Sequence, residues 1–219
     1  MKKVIAFNGG PRKTGNTSIM LRQFLEGVDN CGGYAEEFLV NELNLEYCHG
    51  CLRCNLLGRC SVTTDDWPEL SRKITEADVI VFATPVYFHH VTAPLKKIID
   101  RFRSFVHVQI TEEGLLHTPV TPWNKDLVLI MSLGSSDDSD AKPVIELFRF
   151  MNSILGKKNR LHIITATRMA VVKQILKTSE ELRELYLKMN LSPGLAGVDF
   201  LKNQEILKQC YDLGSSISR

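Results

Sequence analysis

Two stretches of this chain carry apolar residues at nearly every position: DVIVFATPV at 78–86 and DLVLIMSL at 126–133. A strand with one wet face alternates apolar and polar residues. An unbroken run of this length, rich in β-branched residues, belongs to a strand covered on both faces. Three further runs, KKVIAF (2–7), YAEEFLV (34–40) and LHIITAT (161–167), bring the expected strands to five. Between them apolar residues recur at helical spacing. In SIMLRQFLEGV (18–28) they are Ile19, Met20, Leu21, Phe24, Leu25 and Val28; in APLKKIIDRFRSF (93–105) they are Leu95, Ile98, Ile99 and Phe102. Helical patterns over about 142–155, 173–190 and 202–215 complete the series. Alternating strands and helices predict a parallel sheet with helices on both faces and right-handed crossovers. At 219 residues, with no internal repeat or linker, the chain suits a single α/β domain over 1–219. Ligands of such a sheet gather beyond the carboxyl ends of its strands.

Three loops fall at that end. After the first strand comes NGGPRKTGNTS (8–18), where glycines allow a tight turn and Asn16 or Thr17 is placed to cap the next helix. A helix start offers free N–H groups to an anion, and Arg12 adds a charge-assisted contact. Gly10 to Thr17 matches the spacing of a nucleoside-triphosphate loop except that Asn16 stands where that motif requires lysine. A single phosphate monoester therefore fits better than a triphosphate, and a plain glycine turn without ligand is the alternative. The loop after the third strand holds Pro85, Val86, Tyr87 and Phe88. Its aromatics suit either a flat ring or the core, and its backbone can face a heteroaromatic edge. His89 and His90 are adjacent and point apart in extended chain, as expected of partly exposed loop residues. The loop after the fourth strand, SLGSSDDSDAK (132–142), supplies Gly134 and Ser135, with Asp138 or Asp140 as a helix cap. A phosphorylated flat cofactor fits the three loops together.

The net charge of +2 is spread along the chain and points to neither nucleic acid nor an anionic membrane as partner. Lys2 and Lys3 precede an apolar run far shorter than the roughly 7–15 residues of a secretory signal, and no run approaches the ~20 of a membrane span. The expected compartment is the cytoplasm, where clustered cysteines serve metals or catalysis more often than structural disulfides.

Such a cluster exists. Cys48, Cys51, Cys54 and Cys60 follow the pattern C-x2-C-x2-C-x5-C in a loop segment spanning 47–65. Four thiolates can wrap an iron–sulfur cubane, with Gly58 letting the chain return to close it and Leu52, Leu56 and Leu57 drying the pocket. Zinc more often takes two separated C-x2-C knuckles. Each C-x2-C pair can also form a redox disulfide, and four reduced thiols without cargo remain an option. Asp66 and Glu69 suggest a capping box for the helix that follows. Cys31 and Cys210 stand apart as ordinary thiols.

The segments NGGPRKTGNTS, CHGCLRCNLLGRCSVTTDDW and DVIVFATPVYFHHVTAPLKKIIDR together resemble the signatures of the NADPH-dependent FMN reductase superfamily, over about residues 3–135. The compact cysteine motif is similar to that of its iron–sulfur flavoprotein branch. The resemblance implies a flavodoxin-like three-layer fold with sheet order 2-1-3-4-5. It implies FMN with its phosphate on Gly10, Arg12, Asn16, Thr17 and Ser18, its ring against Pro85, Val86, Tyr87 and Phe88, and Gly134 and Ser135 closing the other side. It further implies a [4Fe–4S] cluster on Cys48, Cys51, Cys54 and Cys60, and a homodimer or homotetramer. Two departures stand out: Gly10 replaces a frequent serine, and His89 replaces a frequent small residue near the flavin face.

The expected function is that of an FMN-dependent electron-transfer oxidoreductase. Ferredoxin or NAD(P)H would be its donor and a small molecule its acceptor, with the chemistry residing in the cofactors. A cluster-free NAD(P)H-dependent flavin or quinone reductase is the second reading. A non-enzymatic, redox-responsive flavin-binding protein is the third.

Overall fold

The computed structural model describes residues 1–219. Five parallel strands form the central sheet: β1 (Lys3–Asn8), β2 (Tyr34–Leu39), β3 (Val79–Pro85), β6 (Asp126–Ser132) and β7 (Arg160–Ala166). Their order is β2-β1-β3-β6-β7, which is the expected 2-1-3-4-5 once an inserted hairpin is set aside. That hairpin, β4 (Val106–Thr111) and β5 (Gly114–Pro119), is antiparallel and separate from the sheet. The sequence reading assigned no element to it. Its alternation is weak and its apolar residues Ile110, Leu115 and Leu116 face solvent, so the usual burial signal is missing.

The helices are α1 (Asn16–Asn30), α2 (Cys54–Leu57), α3 (Trp67–Glu76), α4 (Ala93–Arg101), α5 (Lys142–Leu155), α6 (Ser179–Lys188) and α7 (Leu195–Ser218). Strand parity sorts the core. Ile80 and Phe82 of β3 join the cluster under α3, α4 and α5, whereas Val79, Val81 and Ala83 join the one under α1 and α7. Both faces of β3 and β6 are therefore dry, as their unbroken apolar runs require. Gly27 and Gly214 bring α1 and α7 into backbone contact. A Cβ at Gly214 would lie 2.0 Å from the Phe24 carbonyl oxygen, and one at Gly27 would lie 2.2 Å from that of Tyr211.

The helix ends depart from the expected caps. No side chain caps α1; Asn16 and Thr17 lie inside its first turn behind Gly15. Asp66 and Glu69 form no capping box on α3, because the Asp66 carboxylate accepts from the Asn44 amide and Glu69 pairs with Lys73. Asp137, not Asp138 or Asp140, accepts from the Ser139 amide at the turn preceding α5. The reciprocal capping box of the chain is Thr178 with Glu181 on α6. The expected helix at 173–190 begins only there, after a short turn at Gln174–Leu176.

Candidate functional site

The carboxyl ends of β1, β3 and β6 open into a cleft of about 290 Å³. Gly10, Arg12, Asn16, Thr17, Pro85, Val86, Tyr87 and Gly134 line it. Ser18, Phe88 and Ser135 do not. The Ser18 side chain is buried, accepting from the Asn8 amide group at 3.0 Å and donating to the Arg12 carbonyl at 2.9 Å. Phe88 and Ser135 line a shallower recess next door, which shares Val86 and Gly134 with the cleft.

The floor of the cleft is the start of α1. Its first intrahelical bond runs from the Ile19 amide to the Gly15 carbonyl, so the amides of Asn16, Thr17 and Ser18 find no acceptor in the chain. All three residues are buried. Unsatisfied, buried N–H groups at a helix start attract an anion. Close packing holds the loop that leads there. A Cβ on Gly9 would lie 3.0 Å from Leu95 Cβ and 3.0 Å from Thr92 Oγ1, and Thr92 Oγ1 donates to the Gly9 carbonyl at 2.9 Å.

Polar side chains expected to face a ligand are spent elsewhere. Thr17 Oγ1 lies 2.6 Å from Ser132 Oγ and ties α1 to β6. Asn16 Nδ2 donates to the Met169 and Val171 carbonyls, at 3.1 and 2.8 Å, and its Oδ1 accepts from the Ile175 amide at 3.2 Å. Asn16 thus fastens the segment after β7, whose Met169, Ala170 and Val172 form a wall that sequence reading missed. No local motif marks this wall; it reaches the site by tertiary packing. A buried charge cluster holds it from behind. Arg168, at φ +57°, makes a bidentate ion pair with Asp199, which also accepts from Tyr186 Oη at 2.6 Å and pairs with Lys202 at 3.1 Å. Burial pushes the Asp199 carboxyl up, but bonds from Arg168, Tyr186 and Lys202 outweigh it and bring it down to about 2.

On the opposite rim, Tyr87 and His90 exchange two backbone hydrogen bonds of 2.9 Å around a two-residue turn. Both turn residues, Phe88 (φ +47°) and His89 (φ +59°), are left-handed, a conformation costing non-glycine residues about 1–2 kcal/mol each. Phe88 is fully exposed rather than a core residue. The Val86 amide is committed to the Ser132 carbonyl and that of Tyr87 to His90. In these two loops the amides of Phe88, His89, Gly134 and Ser135 are among those with no acceptor in the chain.

The four motif cysteines line a second, much tighter cavity of about 30 Å³, with His49, Arg101 and Arg103 among its walls. None is disulfide-bonded. Cys54 opens the single helical turn α2, so the segment is not wholly loop. Leu56 and Leu57 face solvent instead of drying the cavity, and Leu52, which lines it, is also largely exposed. The side chains form no group of three or more that would clasp one metal ion. Arg101 fixes both ends of the segment. Its fully buried guanidinium donates to the Glu46 carbonyl (2.8 Å), the Val62 carbonyl (3.2 Å) and Asp65 (2.7 Å). Its Nε is buried without an acceptor. Burial raises the Asp65 carboxyl, but the Arg101 bond and the Glu46 and Trp67 contacts prevail and lower it. Burial raises the Cys54 thiol against the pull of Arg103, while a hydrogen bond with Ser61 lowers exposed Cys51.

Sequence comparison places these features among known proteins. An iron-sulfur flavoprotein of Archaeoglobus fulgidus is 39% identical over 105 residues, 48% of this chain and 47% of that protein. One of Methanocaldococcus jannaschii is 39% identical over 101 residues, 46% and 52% of the respective chains. The matched region thus spans about half the length of these curated relatives. In fold, an azoreductase from Bacillus anthracis superposes over 99% of this chain and 100% of its own, with TM-score 0.65 at 15% identity. The family profile described as NADPH-dependent FMN reductase matches residues 2–168. The chain belongs to the NADPH-dependent FMN reductase family.

Proposed function

We propose that the chain is an FMN-dependent oxidoreductase whose cysteine segment holds a [4Fe–4S] cluster. The observation that carries the flavin assignment is the uncapped, buried start of α1 beneath a cleft lined by two loops with free amides. The amides of Asn16 and Thr17 would hold the phosphate, helped by the exposed Arg12, which lines the same cleft. Pro85, Val86 and Tyr87 on one side and Gly134 on the other would flank the ring, with Met169, Ala170 and Val172 excluding water from its back. When bound, FMN supplies one- or two-electron transfer and a cubane supplies one-electron transfer. The family description and the names of the flavoprotein relatives support this reading.

Cys48, Cys51, Cys54 and Cys60 would be the cluster ligands. Their common cavity, the absence of any disulfide among them and the unpaired Nε of Arg101 fit an anionic four-thiolate centre. Neither bound group requires an acid–base pair from the protein. The chain's work is to bind, orient and shield.

Titration of the protein with FMN and, separately, riboflavin tests the cleft. FMN should quench and bind at least tenfold more tightly, because only it carries the phosphate. Equal affinity for both would refute the phosphate floor. Oxygen-free purification followed by iron and sulfide analysis tests the cysteine site. Cys51→Ser should lose iron and keep FMN; loss of both together would contradict two separate sites. A cluster-free NAD(P)H-dependent reductase is favoured by the family description, and steady-state turnover with NAD(P)H by iron-free protein would decide for it.

A further inference from the structure

We propose that Arg103 is the counter-cation of the cysteine centre and sets its reduction potential, with Arg101 acting behind it as the staple that positions the segment. The proposal rests on the four-cysteine cluster reading above. Arg103 Nη1 approaches Cys54 Sγ at 3.5 Å, and Nη2 donates to Asn55 Oδ1 at 2.8 Å. Both arginines line the cavity that the four cysteines share. Their charges are not equivalent. Asp65 neutralises Arg101, whereas no carboxylate comes within ion-pair reach of Arg103. Arg53 and Arg59 of the motif also have no carboxylate partner, but Arg103 is the one such arginine that lines the cavity and reaches a motif sulfur.

Arg101 is the last residue of α4 and Arg103 sits in the turn directly after it, so the end of this helix brings both guanidinium groups to the cysteine cavity. One-electron reduction adds a further negative charge to the centre, and the nearby guanidinium favours the reduced state more than the oxidised one. The same side chain also docks α2 onto β4, together with Asn55, which accepts from the Val108 amide at 3.0 Å and donates to the Val108 carbonyl at 2.8 Å. Charge and docking are therefore separable by substitution.

The test is anaerobic reconstitution with ferrous iron and sulfide, followed by redox titration monitored by electron paramagnetic resonance. Wild type, Arg103→Gln, Arg103→Lys and Asn55→Ala are compared. Arg103→Gln should shift the one-electron equilibrium at least tenfold toward the oxidised form, about 59 mV more negative. Arg103→Lys keeps the charge and should stay near the wild-type potential; Asn55→Ala keeps the charge but removes the acceptor of Arg103 Nη2, so it should shift the potential much less than Arg103→Gln does. An unchanged potential in Arg103→Gln, or an equal shift in Asn55→Ala, overturns the proposal and leaves the cluster reading standing. If Arg103→Gln fails to load, the lysine variant decides: loading at the wild-type potential supports the proposal, and a shifted potential or no loading overturns it. Failure of the wild type to take up iron and sulfide overturns both readings.

Discussion

Replacing Asn16 by alanine separates two roles that its position permits. Its side chain lies at the proposed phosphate floor, yet all three of its hydrogen bonds go to the wall segment at Met169, Val171 and Ile175. The residue is buried, so Asn16→Ala strands two carbonyls and an amide where water enters poorly. At about 1 kcal/mol net per bond, the loss comes to about 3 kcal/mol. For a domain of this size that corresponds to a fall in Tm of about 6–12 °C. The cost should appear in the protein without FMN, because the bonds exist without it. Urea unfolding of the apoprotein, followed by far-ultraviolet circular dichroism, measures it. FMN affinity should fall only modestly, through a loosened wall, since the backbone amide remains. An apoprotein as stable as wild type, combined with a tenfold or greater loss of FMN affinity, would refute this reasoning and show that the side chain grips the ligand directly.

Acid should expose the Asp199 cluster. Its folded pKa of about 2 lies below the ordinary carboxylate value, so its stabilisation is complete above about pH 4 and disappears as pH falls from about 4 to 2. The shift corresponds to about 2.5 kcal/mol; Asp199→Asn should flatten stability across that window, and an unchanged acid limb in urea midpoints would count against the cluster. Gly214→Ala should destabilise by about 1–3 kcal/mol because its Cβ meets the Phe24 carbonyl oxygen, although the same change in an open helix stabilises; a rise in Tm would contradict the close approach of α1 and α7. Cys210 is fully buried with its thiol pushed up to about 12, so it should resist iodoacetamide at pH 8 until the chain unfolds, whereas exposed Cys51 in iron-free protein should react at once. Mass spectrometry of the labelled protein distinguishes them.

The sequence by itself determined the sheet. Burial on both faces demands unbroken apolar runs, and the runs at 78–86 and 126–133 can be read without coordinates because that demand is local. It also determined the glycine loop at the start of α1 and the cysteine spacing, since both depend on neighbours within a few residues. Tertiary structure alone decided what side chains of those segments do. Asn16 and Thr17 carry the same letters whether they face a phosphate or a wall more than a hundred residues away; their partners, Val171 and Ser132, are fixed by packing. The hairpin at 106–119 stayed hidden because it buries too little to impose a pattern. Arg101 and Arg103 meet the cysteines only because α4 ends beside them, and hydrophobic periodicity, which reports which face is dry, says nothing of where a helix end will point a charge.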